Sequence, residues 1–265
     1  MSQPDNLKII THDLGVDVES VRIIPIGDMH IGSHFNENAY WKQVEEILND
    51  PNCYAVINGD VTEMVTKNSV GNVYESLRPK QQKELAIKFL KPLAENGRIL
   101  AYLDGNHEHR ASKETDEYVG EYICNMLGIP SVYDPDGIYL FLTVGYSARY
   151  GRSTRIVYTA YMLHGWTGAR RIGGKANTLE DMAKGVIADI YIMNHTHQQL
   201  AFPDNMVVPD TRTRKLKFMS QKYVMSGPFL DWAGYAIRRG YSPSYIGAPL
   251  IYLSGSEKRV EVTVR

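Results

Sequence analysis

Asp, Asn and His residues gather at the ends of apolar runs in this chain. "IIPIGDMH" closes on Asp28 and His30, "AVINGD" on Asp60, "ILAYLDGNH" on Asn106 and His107, "TAYMLHG" on His164, and "DIYIMNHTH" on His195 and His197. Carboxylate and amide oxygens with neutral imidazole nitrogens form a donor set that suits borderline divalent cations such as Mn, Fe or Zn. One residue separates Asp28 from His30 and His195 from His197, so in an extended segment each pair points to one side. A carboxylate such as Asp60 can hold one ion on each oxygen, which places two ions roughly 3.5–4 Å apart. Such a pair clamps a phosphate and sharpens a water into a nucleophile. Five of the 8 histidines lie at these ends. A lone His is more often structural or on the surface, and that is the reading for His12, His34 and His109. A core does not independently place this many polar groups at strand ends, because burying each one unpaired costs roughly a few kcal/mol.

The elements that must position these groups alternate over the first two-thirds of the chain. "VRIIPIGD" reads as a buried strand, followed by "NAYWKQVEEIL", where Trp41, Val44, Ile47 and Leu48 share one helical face. "YAVINGD" is a second strand and "PKQQKELAIKFLKPLAE" a second helix, with Pro79 in its first turn. "GRILAYLDGNH" is a third strand, and "KETDEYVGEYICNMLG" a third helix closed by Gly128. The alternation predicts an α/β fold with a partly parallel sheet. Beyond Ile129, "GIYLFLTVG", "TRIVYTAYMLHG", "ADIYIMNH", "KLKFMSQKYVMSG", "APLIYLSG" and "KRVEVTVR" read as strands, with one helix over 178–184. No repeat and no Gly/Ser/Pro linker interrupts the chain, so residues 1–265 are expected to form a single domain. In open α/β sheets the carboxyl ends of the strands are where ligands bind, and the polar clusters sit at those ends.

Composition narrows the function classes. A formal net charge of -1 on 265 residues predicts no overall attraction to polyanions, so any nucleic-acid site must be a local patch. Cys53 and Cys124 are the only cysteines, which suits buried free thiols in a reducing compartment. The opening "MSQPDNLKIITHDLG" lacks a basic segment followed by an apolar run, and no stretch is long enough to cross a bilayer. A cytoplasmic location without membrane contact is therefore expected. No cysteine sits in a phosphate-cradling loop and no GxxxxGK[ST] motif is present, which disfavours a thiolate phosphatase and a P-loop enzyme.

"GDMH", "NGDVTE", "DGNHE", "LHG" and "NHTH", in this order and at strand ends, resemble the calcineurin-like metallophosphoesterase family. The motifs are individually weak and collectively specific, and they run from Gly27 to about His197. The resemblance implies a four-layer αββα sandwich, two mixed β-sheets flanked by helices. It implies one metal on Asp28, His30, Asp60 and His197, and a second on Asp60, Asn106, His164 and His195, with Asp60 bridging. It also implies that His107 faces the scissile phosphate and protonates the leaving oxygen, while Glu108 orients its neighbours. The cofactors would be two divalent ions, with manganese favoured and iron, zinc, nickel or magnesium as alternatives, and a hydroxide bridging them would attack in line. Two positions depart from the pattern. Asn194 stands where the family has Gly, and Asn tolerates unusual backbone angles. Glu63 stands where Asp or Asn is usual.

Basic residues in "SARYGRSTR", "GARR", "RTRKLK" and "IRRG" read first as solvated surface. Arg170 and Arg171 follow His164 in one loop and are candidates to grip a phosphate bidentately. Substrate binding is accordingly assigned to Asn106, His107, Arg170 and Arg171, and catalysis to His107 and Asp60. The aromatic residues of "FLDWAGYAIRRGYSPSYIG" offer faces on which bases stack. A nuclease or phosphodiesterase acting on DNA or a nucleotide is the first expectation. A phosphomonoesterase such as a Ser/Thr protein phosphatase is the alternative, and a non-catalytic binding scaffold is a third.

Overall fold

The computed structural model describes residues 7–66, 77–149, 152–238 and 240–265. Residues 1–6, residues 150–151 of the first basic cluster, and Arg239 of the last one fall outside the described residues. In chain order the elements are β1 (Lys8–Asp13), β2 (Ser20–Ile26), α1 (Glu37–Leu48), β3 (Cys53–Asn58), α2 (Pro79–Glu95), β4 (Ile99–Leu103), α3 (Asn106–Thr115), α4 (Val119–Met126) and β5 (Tyr133–Asp134). They continue with β6 (Ile138–Arg149), β7 (Arg152–Met162), α5 (Ile172–Asp181), β8 (Ile190–Met193), β9 (Leu200–Asp210), β10 (Lys215–Met225), α6 (Gly234–Arg238), β11 (Leu250–Ser254) and β12 (Val260–Thr263).

Two mixed six-stranded sheets result, ordered β1-β6-β7-β8-β10-β9 and β12-β11-β2-β3-β4-β5. Within the second sheet β2, β3 and β4 are parallel. Within the first, β7, β8 and β10 are parallel. Strand alternation divides the side chains between layers. Ile190, Ile192 and Val224 join the core shared by the two sheets, whereas Tyr191, Met193, Tyr223 and Met225 pack beneath Leu179 and Met182 on the α5 side. On the other side, α1 and α4 pack against β3 and β4. The architecture is thus helix, sheet, sheet, helix, as the sequence motifs imply.

The helices differ from the sequence reading in two places. The expected third helix is two, because Asp116 turns left-handed (φ 59°) and ends α3 before α4 begins. The helix expected over 178–184 begins earlier, at Ile172, and tightens into a 3-10 turn at Met182–Lys184. Gly173 and Gly174 conceal its first turn from a propensity reading. β1, β5 and β9 are additional strands. β9 escapes the period-2 pattern because Pro203 and Pro209 interrupt it and its distal half is exposed. Cys53 and Cys124 are free and buried. Among the described residues, no helix is long and apolar enough to cross a membrane.

Candidate metal centre

The two parallel strand sets deliver the polar groups with a regular offset. β2 ends at Ile26, β3 at Asn58, β7 at Met162 and β8 at Met193, and Asp28, Asp60, His164 and His195 each stand two residues further on. Asn106 and His107, expected at a strand end, begin α3 and so stand at a helix N-terminus, whose free N–H groups and dipole favour a nearby anion. The loops are tied together by main-chain bonds: Asp28 N–H donates to Gly59 O at 3.0 Å and His30 N–H to Asp60 O at 2.9 Å. The sheets are linked where His195 N–H donates to Asp28 Oδ1 at 3.1 Å.

Backbone strain marks the same residues. Asp28, His30, Asp60, His195 and His197 all have φ between 47° and 69°. Non-glycine residues seldom occupy this region, and such strain clusters where the surroundings over-determine it. Asn194 is not among them, which corrects the reason its presence was expected to be tolerated. It is fully buried, and its side chain fills the space beside Gly27, where a Cβ would meet Asn194 Nδ2 at 2.4 Å. Its Oδ1 accepts from Asn58 Nδ2 at 2.9 Å. Asn194 therefore acts through its side chain, spanning the two sheets behind Asp28.

Tautomers decide what the cluster can bind. His164 Nδ1 lies 2.8 Å from Asn58 O and donates to it, which leaves the Nε2 lone pair facing Asp60 Oδ2 at 3.2 Å. His30 Nδ1 donates to Glu63 Oε2 at 2.8 Å, leaving Nε2 to face His197 Nε2 at 3.1 Å and Asp60 Oδ2 at 3.7 Å. Asn106 Oδ1 lies 2.7 Å from His195 Nδ1 and 3.2 Å from His164 Nε2. Lone pairs that converge in this way repel one another unless protons or cations lie between them. Asp28, His30 and His197 have ligand atoms within 4.8 Å of one another, as do Asp60, His164 and His195. The donor types, the burial of Asp28, His30, Asp60 and His164, and the mutual approach of the set fit divalent metal ions.

The architecture and the side-chain set agree with the calcineurin-like metallophosphoesterases. No known family profile matches the sequence, and no curated protein matches it. Among solved structures, the chain is similar to a predicted phosphoesterase from Streptococcus pneumoniae, at 15% identity and a TM-score of 0.41, over 92% of this chain and 90% of that one. It is also similar to Yfce, a phosphoesterase from E. coli (14%, TM-score 0.41, covering 92% and 98%), and to the calcineurin-like phosphoesterase YfkN from Bacillus subtilis (13%, TM-score 0.41, covering 92% and 90%). These likenesses are distant, and the chemistry of the centre rests on its own side chains.

Electrostatics without ions show what binding must overcome. Burial lowers the basicity of His30 and His164, but Glu63 for the first and Asp60 for both outweigh it, raising them to about 9 and about 10. Burial would raise the Asp60 carboxyl, yet the neighbouring His164 and His107 hold it well below the carboxylate range. His195 is lowered to about 4 by burial and by the charge of His164. The protons on His30 and His164 must therefore leave when a cation binds. Apparent metal affinity is expected to fall as pH drops, by about tenfold per unit for each displaced proton. Competition with a chelating dye between about pH 6 and 8 measures this, and a flat profile would contradict it.

Surrounding groups hold the cluster in place. Glu108 is buried, and its carboxylate accepts from Asp60 N (3.0 Å), Gly105 N (2.9 Å), Thr62 N (2.7 Å) and Thr62 Oγ1 (2.7 Å). It thus orients its neighbours, as expected. Glu108→Ala leaves four donors without an acceptor and is expected to cost roughly 3–5 kcal/mol of folding stability, read from denaturant midpoints. Glu63, unusual for the family, holds the His30 ring. Glu63→Gln is expected to weaken metal binding about 10–100-fold, measured by metal titration. Sequence reasoning overlooked Lys175, whose Nζ donates to Thr196 O (3.0 Å) and Gln198 Oε1 (2.9 Å), pinning the loop that carries His195 and His197. It also overlooked Arg110, whose Nη2 donates to Glu63 O at 3.0 Å beside the His107 ring.

His107 stands at the edge of the cluster. Its Nδ1 lies 2.7 Å from Arg110 Nη2, which only donates, and 2.6 Å from Glu63 O, and its Nε2 is 3.9 Å from Asp60 Oδ2. His107, His30 and Asp60 also approach closely enough to share an ion, so proximity alone does not separate a ligand from a phosphate-facing group. Arg170 and Arg171 are exposed and stand on the same loop as His164, and the Arg170 guanidinium lies 5.8 Å from the centre of the Tyr241 ring. His12 and His109 bond to Leu100 O and Pro135 O, which accords with structural roles, while His34 is exposed beside Gly234.

Proposed function

We propose that this chain is a metal-dependent phosphoesterase that hydrolyses phosphodiesters of nucleic acid or nucleotides. The observation that carries the reading is the position of Asp60 between two ligand groups. Asp28, His30 and His197 would hold one ion, Asn106, His164 and His195 a second, and Asp60 would bridge them. Manganese is the first candidate, with iron, zinc, nickel or magnesium as alternatives. Bound there, the ions would neutralise phosphoryl charge and supply a nucleophile from water.

The protein's own groups complete the chemistry. The α3 N-terminus and the Asn106 amide would face a bound phosphoryl group, where developing negative charge needs donors. His107, whose Nδ1 lies 2.7 Å from the donor-only Arg110 Nη2 and can accept from it, would then carry its proton on Nε2, toward the centre, and would give it to the leaving oxygen. The diester preference is supported by aromatic surface on loops leaving the same strand ends. Trp166 and Trp232 are about half exposed, Tyr241 lies beside Arg170, and Tyr245 is exposed, which offers faces for bases.

The test compares initial rates of manganese-loaded protein on bis-p-nitrophenyl phosphate and p-nitrophenyl phosphate, followed by single-stranded DNA, cyclic nucleotides and phosphopeptides. Preference for the diester and turnover of DNA or a nucleotide are expected. Preference for the monoester would favour the phosphomonoesterase reading, and absence of metal-dependent turnover would favour a binding scaffold.

A further inference from the structure

The ribbon of β9 and β10 outruns the sheet it belongs to. β8 pairs with β10 only between Ile190↔Lys222 and Met193↔Met225, whereas β9 and β10 stay paired back to Asp210↔Lys215. The rungs from Asp204↔Gln221 outward therefore have no β8 beside them, an overhang of about 20 Å at ~3.3 Å per residue. β8 and β10 run toward the metal centre, so the overhang leaves the opposite pole.

One face of this arm is apolar. Val224 points into the core between the sheets and Tyr223 to the α5 side. Continuing that alternation puts Phe218 and Leu216 on the face of Val224, opposite Val207 and Pro209. Beyond the rungs Lys222↔Pro203 and Ser220↔Asn205 this face turns apolar again where no core covers it: Phe218 is 81% exposed, Leu216 73% and Val207 52%. A lone two-stranded ribbon is marginal in water, and contiguous exposed apolar surface marks an interface. The edge of β9 is a poor template for strand addition, because Pro203 and Pro209 lack N–H donors. The face remains as the docking surface.

Charge indicates the partner. Residues 203–220 contain Arg212, Arg214, Lys215 and Lys217 against Asp204 and Asp210, a net of +2 in a chain of net -1, so the remainder carries -3. The β1–β2 loop lies at the same pole, since β1 is parallel to β6 and β6 is antiparallel to β7, which ends at the metal centre. That loop presents Asp17 and Glu19 around Val16, which is 45% exposed, while Asp13 is paired with Arg155 of its own chain at 2.6 Å. β1 and β9 are opposite edges of one sheet, so the loop and the arm are well separated within a chain.

We propose that the arm docks on the Asp13–Glu19 loop of a second copy of this chain. A two-fold axis through this pole would make the contact reciprocal, each arm lying on the other copy's loop, with both metal centres facing outward. The tip is preformed for this, since Asp210 Oδ1 accepts from the N–H groups of Arg212 and Thr213 (both 3.1 Å) and fixes the turn.

Sedimentation equilibrium tests the proposal on the full chain. The wild type at about 100 μM is expected to be a dimer, as it would be for a dissociation constant near ~1 μM. Leu216→Glu with Phe218→Glu is expected to raise that constant at least about 100-fold, with thermal unfolding still cooperative and metal content unchanged. Asp17→Lys with Glu19→Lys is also expected to yield monomers, and adding Arg212→Glu with Arg214→Glu to restore the dimer by reversing both charges. A monomeric wild type would overturn the proposal, as would a Leu216→Glu/Phe218→Glu variant that stays dimeric. So would a monomeric wild type whose arm variants lose only affinity for duplex DNA, which would assign the arm to nucleic acid. Hydrolysis plays no part in these readouts, so they remain decisive whether or not the phosphoesterase reading holds.

Discussion

Asp60→Asn is expected to reduce manganese-dependent phosphodiester hydrolysis by about 10³-fold, or ~4 kcal/mol of transition-state stabilisation. The side chain is 1% exposed and faces His164, His30 and His107 at 3.2, 3.7 and 3.9 Å. An amide of the same shape removes a full negative charge and one of two acceptor oxygens, so it could not join the two cations of the proposed centre. Packing should change little, because Oδ1 also accepts the N–H of His107 at 2.9 Å, and an amide oxygen can keep that bond. Metal content and rate should therefore fall together. Full activity with full metal loading would remove Asp60 from its bridging role.

His107→Ala is expected to lower turnover by about 10²–10⁴-fold on substrates with an alkoxide leaving group, the range for loss of a positioned proton donor. p-Nitrophenyl esters, whose leaving group needs no proton, should lose much less. Burial lowers the basicity of the His107 ring, and the charges of His30 and Arg110 reinforce this, while Asp60 and Glu63 oppose it. The measurement is the ratio of the two losses at equal metal occupancy. Equal losses on both substrates would indicate that His107 binds the phosphate without donating a proton. Reduced metal content in the variant would make it a ligand, as its approach to His30 and Asp60 allows.

The ligand candidates were legible because chemistry and position coincide at them. Asp28, Asp60, His164 and His195 stand directly beyond apolar runs, and a run of buried strand residues is the most readable local signal. The paired sheets followed from the motif order, since periodicity alone does not distinguish a second layer from a second domain. The contacts that brace the ligands were not legible. Glu63 meets His30 across 33 residues, Lys175 reaches a loop 21 residues away, and Asn194 meets Asn58 across 136. None of these pairings leaves a local pattern. The split between α3 and α4 was hidden because Asp116 adopts a conformation usually left to Gly or Asn. β10 was read as a strand, but β9 went unread because Pro203 and Pro209 look like loop until their partners across the ribbon are known.

The Asn194 side chain, wedged between the sheets beside Gly27 and Asn58, has a mechanical consequence. Asp28, His30, Asp60 and Asn106 ride on one sheet, and His164, His195 and His197 on the other. The width of the seam between them is consequently a tolerance of the catalyst, set by packing that touches no ion. Close-packed interiors transmit small volume changes. A bulkier side chain deep in that seam would detune both halves of the centre at once, and rigidity of the whole sandwich becomes a condition of turnover.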